Sequence, residues 1–384
     1  MARRRALPPA EDAPRALILR HNLFRRSEPF IAQQAGAFAR YRPLYMGRVR
    51  YGPAPGEAVA LEDLAPRLKY ALAAWQMASR DVAPYMRLLA GRRVEVVHAH
   101  FGIEGVYALP LAARLGVPLV TTFHGFDATL STAGLLSSPA WAAYPFLRGR
   151  LARRGDLFLC VSAFIRGKLL ARGFPADKTR VHYIGVDTAR LAPRAAGEAE
   201  KIVLHVARLV EVKGTQYLIR AFARLAPGHR LVIIGEGPLR GGLEKLAGEL
   251  GVRAEFLGAM AHEAVLGWMR RAAVLVLPSV RTSSGREEGL GMVTLEAAAL
   301  GVPVIGADAG GIGEAVADGE SGFLVPARDP EALAARLGLL LGDADLRARM
   351  GAAGRARVEA RFDLARQSAA LETMYDELRA ARAR

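Results

Sequence analysis

The chain has 384 residues, 52% of them hydrophobic, which is enough for two or three domains with sizeable cores. A single cysteine, Cys160, excludes an internal disulfide and a cysteine-based zinc site, and is compatible with the cytosol. The net charge of +16 is unevenly spread: residues 1–195 carry 29 Lys and Arg against 13 Asp and Glu, whereas residues 196–384 balance at 24 each.

The N-terminus, MARRRALPPAEDAPRALILR, is basic, but Pro8, Pro9, Glu11, Asp12 and Pro14 interrupt the apolar run that a secretion signal needs. No stretch of about 18 apolar residues follows, so no membrane-spanning helix is expected. Short apolar runs then mark strands at 16–19, 94–98, 119–123 and 157–161, and again at 202–206, 231–234, 255–257, 274–277 and 303–305. Helical segments separate many of them, which predicts parallel sheets covered by helices on both faces. The stretch LAPRAAGEA at 191–199 has linker composition and coincides with the step in charge. The expected organisation is therefore α/β, with two Rossmann-like domains at 1–195 and 196–365. A last helix at 366–384 crosses back to the first domain. Ligands of such sheets sit at the C-terminal ends of the strands, so a cleft there is the expected site.

Residues 141–154 mix Trp141, Tyr144 and Phe146 with Arg148, Arg150, Arg153 and Arg154. The pattern suits either a membrane interface or a helix packing its aromatics inward. An excess of positive charge in the first half calls for an anionic partner, or reflects an arginine-rich composition.

Three stretches of the second half suggest phosphate chemistry. In HVARLVEVKG, Arg208 and Lys213 follow a strand, where two cations can hold a diphosphate; taken alone they read equally as solvated surface charges. In GREEGLGMVTLEAAALG, Gly289, Leu290 and Gly291 open a helix whose backbone amides can face an anion. Glu288 precedes those donors and Glu296 lies one to two turns inside the helix. Carboxylates there suit sugar and ribose hydroxyls; a helix cap and a half-exposed helix residue are the plainer alternatives. In VIIGEGPLRGG, Gly235 and Glu236 form a weak nucleotide-turn signal. The Asp343-Ala344-Asp345 sequence lies between apparent helices and reads as a helix start rather than a metal motif.

Arg208-x4-Lys213, Glu288-x7-Glu296 and GVPVIGADAGGIGEAV together resemble the nucleotide-sugar half of retaining glycosyltransferases of family four, which have the GT-B architecture. LRHNLFRRSEPFIAQQ, HAHFG and TTFHGFDA in the first half are similar to the branch that makes bacterial exopolysaccharides, colanic-acid-type enzymes among them. The loop at 21–30 lacks the Gly-Gly pair of many relatives, a departure that this branch shares. The resemblance implies that Arg208 and Lys213 bind the donor diphosphate, and that Glu288, with the amides of Gly289, Leu290 and Gly291, holds the sugar and phosphate. Glu296 would hold the ribose, and Gly235 and Glu236 would complete the donor site. His124 would act at the sugar and reaction centre. His98, His100, Phe101, Ser27 and Glu28 would belong to the acceptor side.

The expected activity is metal-independent, retaining sugar transfer without a cofactor. The substrates would be a nucleotide-sugar donor and a glycan acceptor, lipid-linked, in bacterial surface polysaccharide synthesis. The expected location is cytoplasmic with peripheral contact at the inner, anionic membrane face, and no nucleic acid is bound. A GT-B sugar-nucleotide epimerase and a basic nucleic-acid-binding protein are the competing readings. The second is weakened because no module interleaves basic and stacking residues.

Overall fold

The computed structural model of the chain describes residues 12–195, 197 and 199–383. It divides into two units, one running to Gly185 and resuming at Leu364, the other Val186–Asp363. The first unit contains β1 (Arg15–Leu19), β2 (Asn22–Leu23), β3 (Arg42–Gly47), β4 (Val49–Arg50), β5 (Ala58–Ala60), β6 (Val94–His100), β7 (Leu119–Phe123), β8 (Leu157–Cys160) and β9 (Thr179–Val181). Seven of these make one parallel sheet in the order β5-β3-β1-β6-β7-β8-β9, while β2 and β4 form a small separate pair. The second unit has a six-stranded parallel sheet, β12-β11-β10-β13-β14-β15. Its strands are β10 (Ile202–Val206), β11 (Arg230–Ile234), β12 (Ala254–Gly258), β13 (Val274–Leu277), β14 (Val304–Ala307) and β15 (Gly322–Val325).

The central strands are continuous apolar runs because both faces of a parallel sheet are covered. Ala16, Ile18, Val96, Val120 and Leu159 are buried in the first unit, and Val203, Leu231, Ile233, Val274 and Ile305 in the second. Both sheets reverse direction at one point. The chain lays β1, β3 and β5 outward and then returns to place β6 against β1. In the second unit it lays β10, β11 and β12 and returns to place β13 against β10. The crevice beyond such a reversal is where doubly wound sheets bind ligands. Arg20 and His100–Phe101 lie at the first crevice, and Ala207–Arg208 and Pro278–Ser279 at the second.

The units meet the sequence expectation in class but divide elsewhere. The segment after Val186 has linker composition, yet its backbone is consumed by the second unit. Val186 N–H donates to Phe362 O at 2.8 Å, and Arg355 donates to Thr188 O, Leu191 O and Ala299 O. The last helix, Leu364–Ala383, belongs to the first unit. It buries Leu371 and Tyr375 in that core, and the Glu372 carboxylate accepts from the Arg40 and Tyr41 amides at 2.6 and 3.0 Å. The mixed segment at 141–154 is neither of its two readings in full. Tyr144 is buried and Trp141 stacks on Phe126, but Phe146 is 75% exposed. Asp343 is a helix cap, its carboxylate accepting from the Leu346 amide at 2.8 Å. No helix among the described residues is long and apolar enough to cross a membrane.

Candidate functional site

In the second unit, the loop after β10 is built on close backbone approach. Leu209 N–H donates to Glu236 O at 2.9 Å, and Leu239 N–H donates to Leu209 O at 3.2 Å. A Cβ at Gly235 would lie 1.8 Å from Ala207 O, and one at Gly237 would lie 2.3 Å from Leu209 O. The glycines of the GEG turn therefore seat the Arg208 loop. The Glu236 side chain points elsewhere, pairing with Arg240 at 2.6 Å on the surface. Farther along the loop, Gly214 takes φ +64° with its α-carbon against Pro278 O, and Val280 N–H donates to Val212 O at 2.8 Å.

That packing brings Lys213 Nζ to 2.5 Å from Glu288 Oε2, while Ser279 Oγ donates to the same oxygen at 3.3 Å. Burial pushes the Glu288 carboxyl up, but the Lys213 charge and hydrogen bond, the Ser279 hydroxyl and the Arg286 charge together hold it below its ordinary value. Arg286 is itself lowered, first by burial and then by the charge of Arg208, against the pull of Glu288. Lys213 and Arg286 thus flank one ionised carboxylate, and Arg208 is close enough to act on Arg286. The backbone beneath Glu288 is fixed by GVPVIGADAGGIGEAV. Gly311 N–H donates to Glu288 O at 3.0 Å, and Gly310, at φ +63°, leaves no room for a Cβ against that same oxygen.

Gly291 caps the helix Met292–Ala299 at φ +81°, and Leu290 is buried, so only its backbone can face a ligand. Glu296 is held apart from Glu288. Its Oε1 lies 2.8 Å from His262 Nε2, at the first turn of the helix His262–Arg271. The hydrogen bond to Glu296 raises the His262 pKa, outweighing burial.

In the first unit, Arg20 follows β1 and holds Glu28 through two bonds of 2.8 and 2.9 Å; it also pairs with Glu104 and lies 4.4 Å over the Phe101 ring. Burial would lower the Arg20 pKa, but the two carboxylates keep it above the ordinary value. Phe101 adopts φ +75° where β6 turns into the helix Gly102–Leu115. The buried Asp127 carboxylate ties that turn to the next loop, accepting from the amides of Gly102, Gly125 and His124 at 2.9, 2.9 and 3.2 Å. His100 Nδ1 and His124 Nε2 are 3.0 Å apart, and the three rings of His98, His100 and His124 stack in sequence. Burial holds all three well below the usual imidazole pKa, so they are neutral. His98 has both ring nitrogens occupied, by Tyr375 OH at 2.5 Å and Thr122 Oγ1 at 2.6 Å, which ties it into the core. His124 Nδ1 is buried without a partner. Phe101 packs on His124 and Phe126, and Ser27 is exposed. Beside Arg20 and Glu28 lies a cavity of about 290 Å³ with apolar walls that include Ile18, Leu23, Ile31 and Tyr45.

Residues 49–190 match Glycosyltransferase Family 4, and residues 190–357 match Glycosyl transferases group 1. The D-inositol 3-phosphate glycosyltransferase of Streptomyces scabiei is 34% identical over 305 residues, covering 71% of this chain and 67% of its own length. The chain belongs to glycosyltransferase family four. The glycosyltransferase WcaL of Salmonella typhimurium, whose name assigns it provisionally to colanic acid biosynthesis, is 37% identical over 253 residues, 63% of this chain and 60% of that one. The crystal structure of Anabaena Alr3699/HepE in complex with UDP has the same GT-B fold, with a TM-score of 0.75 and 21% identity over 95% of this chain and all of that one.

Sequence reasoning about this glycosyltransferase named Lys213, Glu288, Glu296 and the two paired histidines, but it missed Arg286, Ser279 and His262. Arg286 stands inside the stretch already singled out, two residues before Glu288, and alternation of charge there was the available signal. Ser279 and His262 carry no local pattern; only the fold brings them to their glutamates.

Proposed function

We propose that the chain transfers a sugar from a nucleotide diphosphate sugar to a lipid-carried glycan in bacterial surface polysaccharide synthesis, with retention of anomeric configuration and without a metal ion. The observation that carries this is the cluster of Lys213, Arg208 and Arg286 around Glu288, ahead of the helix Met292–Ala299 at the sheet reversal. In the reaction the bond between the anomeric carbon and the diphosphate breaks and negative charge builds on the leaving oxygens. Preorganised cations and helix amides aimed there each lower the barrier by roughly 3 kcal/mol. Glu288 stays ionised and accepts hydrogen bonds from sugar hydroxyls, and Glu296 accepts them from the ribose. The acceptor hydroxyl attacks from the face the diphosphate leaves, giving its proton to a leaving phosphate oxygen. Neutral His124 offers its unpartnered Nδ1 to a sugar hydroxyl rather than a charge. On the acceptor side, an apolar cavity rimmed by Arg25 and Arg26 suits hydrocarbon next to phosphate. The Streptomyces and Salmonella relatives support transfer to a phosphorylated or glycan acceptor.

A thermal-shift panel of UDP-, GDP-, ADP- and TDP-sugars identifies the donor, and Glu288→Ala and Glu296→Ala each weaken the response to it. Donor binding unchanged in both variants would overturn the site assignment. Activity abolished by EDTA and restored by magnesium would overturn metal independence.

A further inference from the structure

The helix Lys69–Ser79 leaves its largest side chains at the surface. Gln76 is its one buried residue, whereas Leu68 at its start is 65% exposed, Tyr70 65% and Trp75 47%. Leu68, the half-buried Leu72, Trp75 and Ser79 follow the four- and three-residue spacing that places them along one side of a helix. That line ends at a groove of about 470 Å³, to which Ser79 and Arg80 contribute one edge. Leu109, Pro110 and Leu147 line its apolar part, and Arg150 and Arg154 stand on the helix Tyr144–Arg154, which also exposes Phe146. Arg80, Arg150 and Arg154 make no ion pair among the described residues. The one acid of the groove, Asp156, is already engaged by Arg382 at 3.1 Å and the Leu119 amide at 2.8 Å.

None of the exposed side chains is needed to hold the helix. It is anchored from beneath, where Arg48 Nε donates to Gln76 Oε1 at 2.7 Å and Tyr107 OH donates to Met77 O at 3.0 Å. A run of Leu, Tyr and Trp beside unpaired arginines suits a partner that is both anionic and apolar. A nucleic acid would use the cations and stack on the aromatics, but would leave Leu64 and Leu68 without a role.

We propose that this face of the first unit docks on an anionic phospholipid surface, with Arg80, Arg150 and Arg154 at the lipid phosphates and Leu68 and Trp75 in the acyl boundary. The inference rests on the reading of a lipid-carried acceptor. The test is co-sedimentation of the full chain with phosphatidylcholine vesicles, with and without phosphatidylglycerol, at low salt. Wild type partitions onto the anionic vesicles and spares the neutral ones. The pair Arg150→Gln/Arg154→Gln loses about fivefold in partition per charge removed. Leu68→Ser/Trp75→Ser loses at least about tenfold, since it removes two large apolar groups from the boundary. The donor-induced thermal shift is kept in both, which shows that the variants are folded. Vesicles shift the tryptophan fluorescence of wild type to the blue, and Trp75→Phe loses that shift. Anionic-vesicle binding equal in wild type and variants overturns this surface while the lipid-carried acceptor stands. Absence of wild-type binding overturns both, as does oligonucleotide binding that falls with the arginines but ignores Leu68 and Trp75.

Discussion

Lys213 and Glu288 lie 75 positions apart in sequence and meet at 2.5 Å, so each determines what the other can do. Without Lys213, burial of Glu288 is opposed only by Ser279 and Arg286, and the carboxyl moves upward. The Lys213→Met variant should therefore lose one leaving-group cation and loosen Glu288 as well. We expect kcat/KM to fall by about 10²-fold or more, with Lys213→Arg recovering part of it, in steady-state assays with the identified donor. A second prediction concerns His262. Its folded pKa is raised by Glu296, so the pair contributes stability that is fully present below the ordinary imidazole value and is lost as pH rises through the raised one. Wild type should be more stable to heat than His262→Gln near pH 6, with the gap closing toward pH 9. An NMR titration of the ring should give a midpoint above 6.5; a midpoint at or below it would remove the basis of the prediction. The sequence made one half of each of these pairs legible, because Arg-x4-Lys and Glu-x7-Glu have fixed spacing. It could not show His262 or Ser279, whose partnership comes from strands β12 and β13 delivering their following loops to the same edge.

At the scale of elements, glycines decide whether loops can close onto one another. Gly214 and Gly116 both take positive φ, +64° and +72°, so alanine is strained at either. They differ in surroundings. A Cβ at Gly116 meets nothing within 4 Å, whereas one at Gly214 would lie 1.9 Å from Pro278 O. Gly116→Ala should cost about 1 kcal/mol in chemical denaturation. Gly214→Ala should cost about 3 kcal/mol and also abolish the donor-induced thermal shift, because the loops carrying Lys213 and Ser279 must part. Equal costs at the two positions would mean that loop contact is not what Gly214 provides. The same packing logic explains which strands could be read in advance. Buried runs such as 119–123, 202–206 and 274–277 are uniformly apolar and coincide with β7, β10 and β13. The strands β3, β5, β9 and β15 were not legible, since they are short or carry Pro43, Gly47, Arg180 or Gly322. Membership of a sheet there comes from a neighbouring strand, not from local pattern.

At the scale of the whole molecule, chain order and structural order part company at the last helix. Leu364–Ala383 closes the sequence but completes the first unit's core, where Tyr375 OH meets His98 and Leu371 is fully buried. Composition shows an amphipathic helix; which sheet it covers depends on partners more than 300 positions away, such as Tyr41 and Arg40 with Glu372. The tryptophans allow the two units to be followed separately. Trp75 and Trp141 lie in the first, and Trp268 in the second. Leu371→Ala removes a side chain from a closed core and should cost about 2–5 kcal/mol. In a Trp268→Phe background, the denaturation midpoint reported by Trp75 and Trp141 should fall. With Trp268 as sole reporter, in a Trp75→Phe/Trp141→Phe background, the midpoint should stay where it was. A fall of equal size in both would mean that the units unfold as one cooperative body. A fall seen by Trp268 alone would contradict the assignment of the last helix to the first unit, and with it the route by which His98, one strand residue from the stacked pair His100 and His124, is held in place.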